Sequence, residues 1–208
     1  MSGLPAARRG LFQVESSVMN EACARQRTRE GLIFLVLFAF TIPAANWLIG
    51  NVGTACVAPQ GPCLVPVAPG IMAPSGVTMV GVALVLRDLL QRRLGTAVSA
   101  VAIVLGAALS ALVAPPALIL ASAVAFLLSE LADLAVYTPL ARRRLVAAVI
   151  ASGGAGLVID SIVFLWLAFG SLEFLPGQVI GKAWMVVFSI PLVIWLRRRD
   201  ARLGMQPA

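Results

Sequence analysis

The chain contains no histidine, three cysteines and only nine acidic residues among 208. Without histidine, the usual general base and the commonest metal ligand are missing. There is also no G-x-S-x-G elbow and no repeated aspartate motif, which argues against an intramembrane enzyme and leaves no catalytic or metal site to assign. No GxxxxGK[ST] loop occurs, so any ATPase working with this chain is a separate protein. Charged residues make up 12% of the sequence, about half the ~25% usual for a soluble domain. The first thirty residues lack an early apolar core and carry Glu15, Glu21 and Glu30 among arginines. They read as a mobile tail or a surface helix, not as a cleavable signal peptide.

Apolar residues are abundant: 60% of the chain is hydrophobic and its mean hydropathy is +0.97. A soluble core of this size has no means of hiding so much apolar surface, so the chain is expected to be an integral membrane protein in the lipid bilayer. The net charge of +7 raises nucleic acid as a partner. The arginines argue otherwise, because they cluster at the ends of apolar runs, where they orient helices.

Six runs approach the ~20 residues needed to cross the hydrocarbon. They extend from Gly31 to Ile49, Ile71 to Leu86 (continuing amphipathically to Leu94), Gly95 to Val113, Ala117 to Tyr137, Leu145 to Phe169 and Gly177 to Leu196. Arginine clusters recur in every second connection, at Arg25, Arg27 and Arg29, then Arg87, Arg92 and Arg93, then Arg142, Arg143 and Arg144, and last Arg197, Arg198, Arg199 and Arg202. The intervening connections carry no basic residue. This alternation places both termini in the cytoplasm. The expected organisation is an N-terminal tail over 1–30, a six-helix transmembrane domain over 31–196 and a C-terminal tail over 197–208.

The loop from Asn51 to Pro74 holds Pro59, Pro62, Pro66, Pro69 and Pro74 and cannot be helical. It is too apolar for a solvated tether and is expected to fold over the outer mouth. Cys56 and Cys63 share this loop, either as a disulfide or as two free thiols.

Ionisable residues inside apolar runs mark substrate or ion pathways by default. Glu130, Asp133 and Tyr137 fall at i, i+3 and i+7, on one helix face. At ~1.5 Å per residue, Arg87 and Asp88 lie about 24 Å below the start of the second run, and Glu130 and Asp133 about 20–24 Å into the fourth. Arg87 is therefore expected to pair with Glu130 or Asp133. Asp160 and Lys182 lie about 14 and 8 Å from the opposite surface and are expected to meet, directly or through substrate. Gly153, Gly156 and Asp160 share a face of the fifth helix, and Gln178, Gly181, Lys182 and Met185 one of the sixth. Asn46 and Ser75 supply polar groups in the outer half. Competing assignments are a surface pair for Asp88 with Arg92, an interfacial Arg87, a structural bridge for Asp160 with Lys182, and belt positions for Tyr137 and the tryptophans.

The stretches APSGVTMVGVALVLRDLLQRRLG, SELADLAVYTPLARR, ASGGAGLVIDSIVFLWLAFG and LPGQVIGKAWMVVF together resemble the vitamin uptake transporter family, also called the queuosine precursor transporter family. The resemblance implies an all-α bundle of six transmembrane helices, similar to the substrate-binding subunits of energy-coupling-factor vitamin transporters. It implies uptake of a 7-deazaguanine base such as 7-cyano-7-deazaguanine across a bacterial cytoplasmic (inner) membrane, with Arg87, Asp88, Glu130, Asp133, Asp160 and Lys182 carried over to the site. No cofactor is expected. A second copy of the chain and a separate ATPase module stay open as partners, the latter corresponding to a substrate-capturing subunit.

Overall fold

The computed structural model describes residues 6–56 and 62–205, with side chains from Glu21 onward. Residues 1–5, the Glu15 side chain, Pro59 and residues 206–208 lie outside the described residues. Six helices follow in order: α1 (Ala6–Asn51), α2 (Val77–Leu94), α3 (Thr96–Val113), α4 (Ile119–Ala141), α5 (Leu145–Phe169) and α6 (Leu175–Leu203). Five of them are long and apolar enough to cross a membrane. The exception is α2, whose 18 residues include Arg87, Asp88, Arg92 and Arg93.

That exception follows from position. α2 packs against each of the other five helices, and eleven of its residues are buried. A helix enclosed by protein does not meet lipid, so its charges need partners and not an apolar sequence. The surrounding helices show the complementary pattern. Ile33, Phe40, Val101, Leu120, Trp166 and Phe188 all point outward, an apolar coat too extensive for a water-facing surface. All four tryptophans are exposed on this outer surface.

Two boundaries differ instructively from the sequence pattern. The described part of the expected N-terminal tail is helical and continuous with the first span, through Pro43. The second apolar run is not helical from Ile71. Its first residues form a strand, and α2 begins only at Val77, after the break made by Pro74, Ser75 and Gly76. α4 continues through Pro139 to Ala141 and α6 reaches Leu203, both beyond the apolar runs that mark them.

The proline-rich loop is a small antiparallel sheet, an addition to the all-α architecture. Its strands are β1 (Ala55–Cys56), β2 (Cys63–Ala68) and β3 (Ile71–Pro74), paired in that order. The prolines sit where a sheet tolerates them: Pro66 at the register irregularity of β2, and Pro74 at the end of β3. Gly70, at φ 71°, makes the turn between them. A disulfide joins Cys56 to Cys63 across paired positions. The sheet rests on α6, where an added methyl at Gly177 would strike the Met72 carbonyl. It is tied to α1 through Ser75, whose hydroxyl donates to the Leu48 carbonyl at 2.6 Å just after β3.

The opposite end is closed by charge. Asp200 of α6 accepts from Arg92 (2.9 and 3.1 Å) and from Arg93 (2.8 and 2.9 Å). Glu30 of α1 pairs with Arg93 at 2.9 Å and with Arg199 at 2.6 Å. Two carboxylates thus clamp three helices at the arginine end, whereas the sheet marks the other. We expect Asp200→Asn to leave the buried Arg93 with Glu30 as its one remaining carboxylate and to remove about 2 kcal/mol of stability, the scale of lost hydrogen bonds to a charged group, seen as a lower melting temperature in detergent. Arg202→Gln, at an exposed position, is expected to leave the melting temperature unchanged.

Candidate functional site

Helix spacing brings the charged residues to one level. From Val77 to Arg87 the rise is about 15 Å, and from Ile119 to Glu130 about 17 Å. Because α2 starts at Val77 and not at Ile71, Arg87 lies about 15 Å along its helix and not the ~24 Å expected from the apolar run.

Arg87 is the hub. Its Nη2 lies 2.5 Å from Asp133 and 3.1 Å from Asp88, and its Nε donates to Glu130 at 3.2 Å. Nη1 donates to Gln91, one turn along α2, at 2.9 Å. Gln91 is fixed in turn by Thr96 and Thr138. Ser152 of α5 donates to Asp88 Oδ2 at 3.0 Å. Arg87 is 0% exposed, so it does not reach for the interface. Asp88 forms no surface pair with Arg92, which binds Asp200 instead. Tyr137 is not a belt residue; it is buried, with its ring 5.6 Å from the guanidinium. The glycine at 156 permits this packing: a side chain there would meet Leu84 and Asp133.

Asp160 and Lys182 meet directly at 2.6 Å, and Lys182, the chain's single lysine, also donates to Ser161 at 2.8 Å. Ser161 donates its own proton to the Leu157 carbonyl, leaving its lone pairs for the ammonium. Ser129, next to Glu130 in sequence, reaches Asp160 at 3.5 Å. The two charged groups are therefore neighbours.

Toward the sheet end, the helices enclose a cavity of about 70 Å³, several times the ~10–15 Å³ that one water requires. Of the sequence-derived candidates, Asn46, Asp160 and Gln178 line it. The Gln178 side-chain oxygen is buried with no hydrogen-bond partner. Asn46 donates to the Ile42 carbonyl at 3.0 Å and accepts weakly from Ser122 at 3.5 Å. Phe126 and Phe164 supply aromatic wall. Arg87, Asp88, Glu130, Asp133 and Lys182 lie behind this wall and not on it, and the Ser75 hydroxyl is committed to α1. Ser122, Phe126 and Phe164 do not stand out in an apolar run. Spacing nonetheless carried a signal for Phe164, which follows Asp160 by one helical turn.

An apolar coat, membrane-length helices and a buried ionic core beside a small internal cavity define a multi-pass membrane protein. The family model described as "Putative vitamin uptake transporter" matches residues 110–196, from the end of α3 through most of α6. The match supports the family resemblance carried by the sequence stretches, and with it a membrane-embedded transporter of a small molecule. No curated protein and no solved structure matches the chain.

We expect Lys182→Met, which strands the Asp160 carboxylate, to remove about 3 kcal/mol of stability. The double variant with Asp160→Leu is expected to recover most of that loss, because no unpaired charge remains. Melting curves of the two single variants and the double variant in detergent measure the coupling.

Proposed function

We propose that the protein imports a 7-deazaguanine base, such as 7-cyano-7-deazaguanine, through the cavity beside Asp160. In this reading the segment 31–196 spans a bacterial cytoplasmic membrane with all six helices, and both termini lie in the cytoplasm. The observation that carries it is the convergence of one carboxylate, Asp160, and two side-chain amides, Asn46 and Gln178, between Phe126 and Phe164. A guanine-like ring presents an N–H and an amino group as adjacent donors and an oxo group as acceptor. A carboxylate accepts both donors, an amide serves either kind of group, and phenyl faces suit a flat ring. Asp160 rather than Glu130 or Asp133 becomes the base-facing acid, because only Asp160 lines the cavity. Arg87, Asp88, Glu130, Asp133 and Lys182 then set the charge around the site.

The cavity lies toward the sheet end, and the clamp of Glu30, Arg93 and Asp200 shuts the arginine end. Such a pair of ends supports alternating access, with the site held near the bilayer centre. The exposed arginines Arg142, Arg143, Arg144, Arg197 and Arg198 favour a second reading, in which this face docks a separate ATPase.

Purified protein in liposomes, given labelled 7-cyano-7-deazaguanine, separates these readings. We expect saturable uptake by the chain alone. Asp160→Asn and Gln178→Ala should each cut it about tenfold or more, the scale of one lost hydrogen bond to a buried or charged group. Binding without uptake would favour the ATPase-dependent subunit. Silence toward every deazapurine, with entry of a vitamin instead, would reject the substrate.

A further inference from the structure

We propose that Asp88, Glu130 and Asp133, gathered around Arg87, form a proton-binding site, and that the proton taken up there is the coupling ion of transport. The coupling half of this proposal rests on the import reading above; the proton site itself does not.

The geometry carries it. One guanidinium lies 2.5–3.2 Å from three carboxylates. All four side chains are at most 2% exposed. If every acid were ionised, one positive charge would face three negative ones, an excess of two in a medium that penalises even a single unpaired ion by several kcal/mol. Carboxylates sharing a site do not all ionise together.

Among the described residues, Arg87 is the one cation within 4 Å of these acids. α3 contains no charged residue. Of the α1 charges, Glu30 is held in the arginine-end clamp. From α6, Lys182 is matched by Asp160 of α5. α4 adds the Tyr137 ring, whose hydroxyl is buried without a partner, and α5 adds the Ser152 hydroxyl, which serves Asp88. Nor is there room for a metal ion between the carboxylates, since the guanidinium already fills that position. A second observation points the same way. Asp133 Oδ2 is buried and receives no hydrogen bond, because the nearby Ser152 hydroxyl gives its one proton to Asp88. The missing positive charge is supplied in its smallest form, as protons on the acids.

The site is placed to sense the cavity. Glu130 adjoins Ser129, which reaches Asp160, and Asp160 lines the cavity. A proton gained or lost by the cluster changes the potential at the residue that faces the substrate. Linkage then requires that substrate change proton affinity by the same factor.

Two measurements on the full chain test this. Infrared spectra of the protein without substrate, at neutral pH, should contain a protonated-carboxyl C=O band. Its intensity should fall in Glu130→Gln or in Asp133→Asn, whichever is recovered folded. In liposomes with the membrane potential clamped, a tenfold inward proton gradient should drive about tenfold accumulation of 7-cyano-7-deazaguanine, the balance for one proton per neutral base. A sodium gradient should drive none. Absence of the carboxyl band overturns the proton site. Uptake that only equilibrates, or that follows sodium, overturns the coupling and leaves import standing. A clear carboxyl band with no uptake of the base under any gradient supports the proton site and overturns the import reading.

Discussion

Everything in this structure follows from placing Arg87 where water cannot reach it. A guanidinium never gives up its charge under ordinary conditions, so the protein must answer it from within. It does so with carboxylates from its own helix and from α4, an amide one turn away, and the ring of Tyr137. These partners come from two helices and α5 braces them through Ser152, so the demands of one side chain fix the mutual rotation of three elements. The least apolar helix becomes the central one for the same reason: only there is lipid excluded on every side.

Charge and cavity are separate layers. The ionic hub sits behind the chamber wall, and one link, Asp160 with Lys182 and Ser129, connects them. The wall is mostly aliphatic, with two phenyl rings, three hydroxyls, two amides and the Asp160 carboxylate set into it, while the other ions lie off it and shape the field. That arrangement keeps the most heavily charged groups away from direct competition with solvent entering the chamber.

Much of this was legible from residue spacing. Glu130, Asp133 and Tyr137 share a face because seven residues make two helical turns, and the structure buries all three together. The meeting of Asp160 with Lys182 followed from their similar distance to one surface. α5 runs from Leu145 to Phe169, the bounds of its apolar run, because arginines and a glycine flank it sharply. Other features left weaker traces. Ile71 to Pro74 is as apolar as a helix start, and only the pairing with β2 makes it a strand. Asp200 lies past the apolar stretch, beside arginines that suggest a solvated tail; its partners Arg92 and Arg93 on α2 are more than a hundred residues away in sequence. The hydroxyls lining the cavity are small enough to pass unnoticed in any membrane helix, so nothing local distinguishes Ser122 from a packing residue.

The absence of a side chain at position 177 has a mechanical result. The backbone of β3 is seated so closely on the first turn of α6 that neither slides past the other, and the indole of Trp184 reaches the Val67 carbonyl two turns further along. Strand and helix therefore travel as one rigid piece. Any tilt of α6 carries the sheet, Gln178 and Lys182 with it.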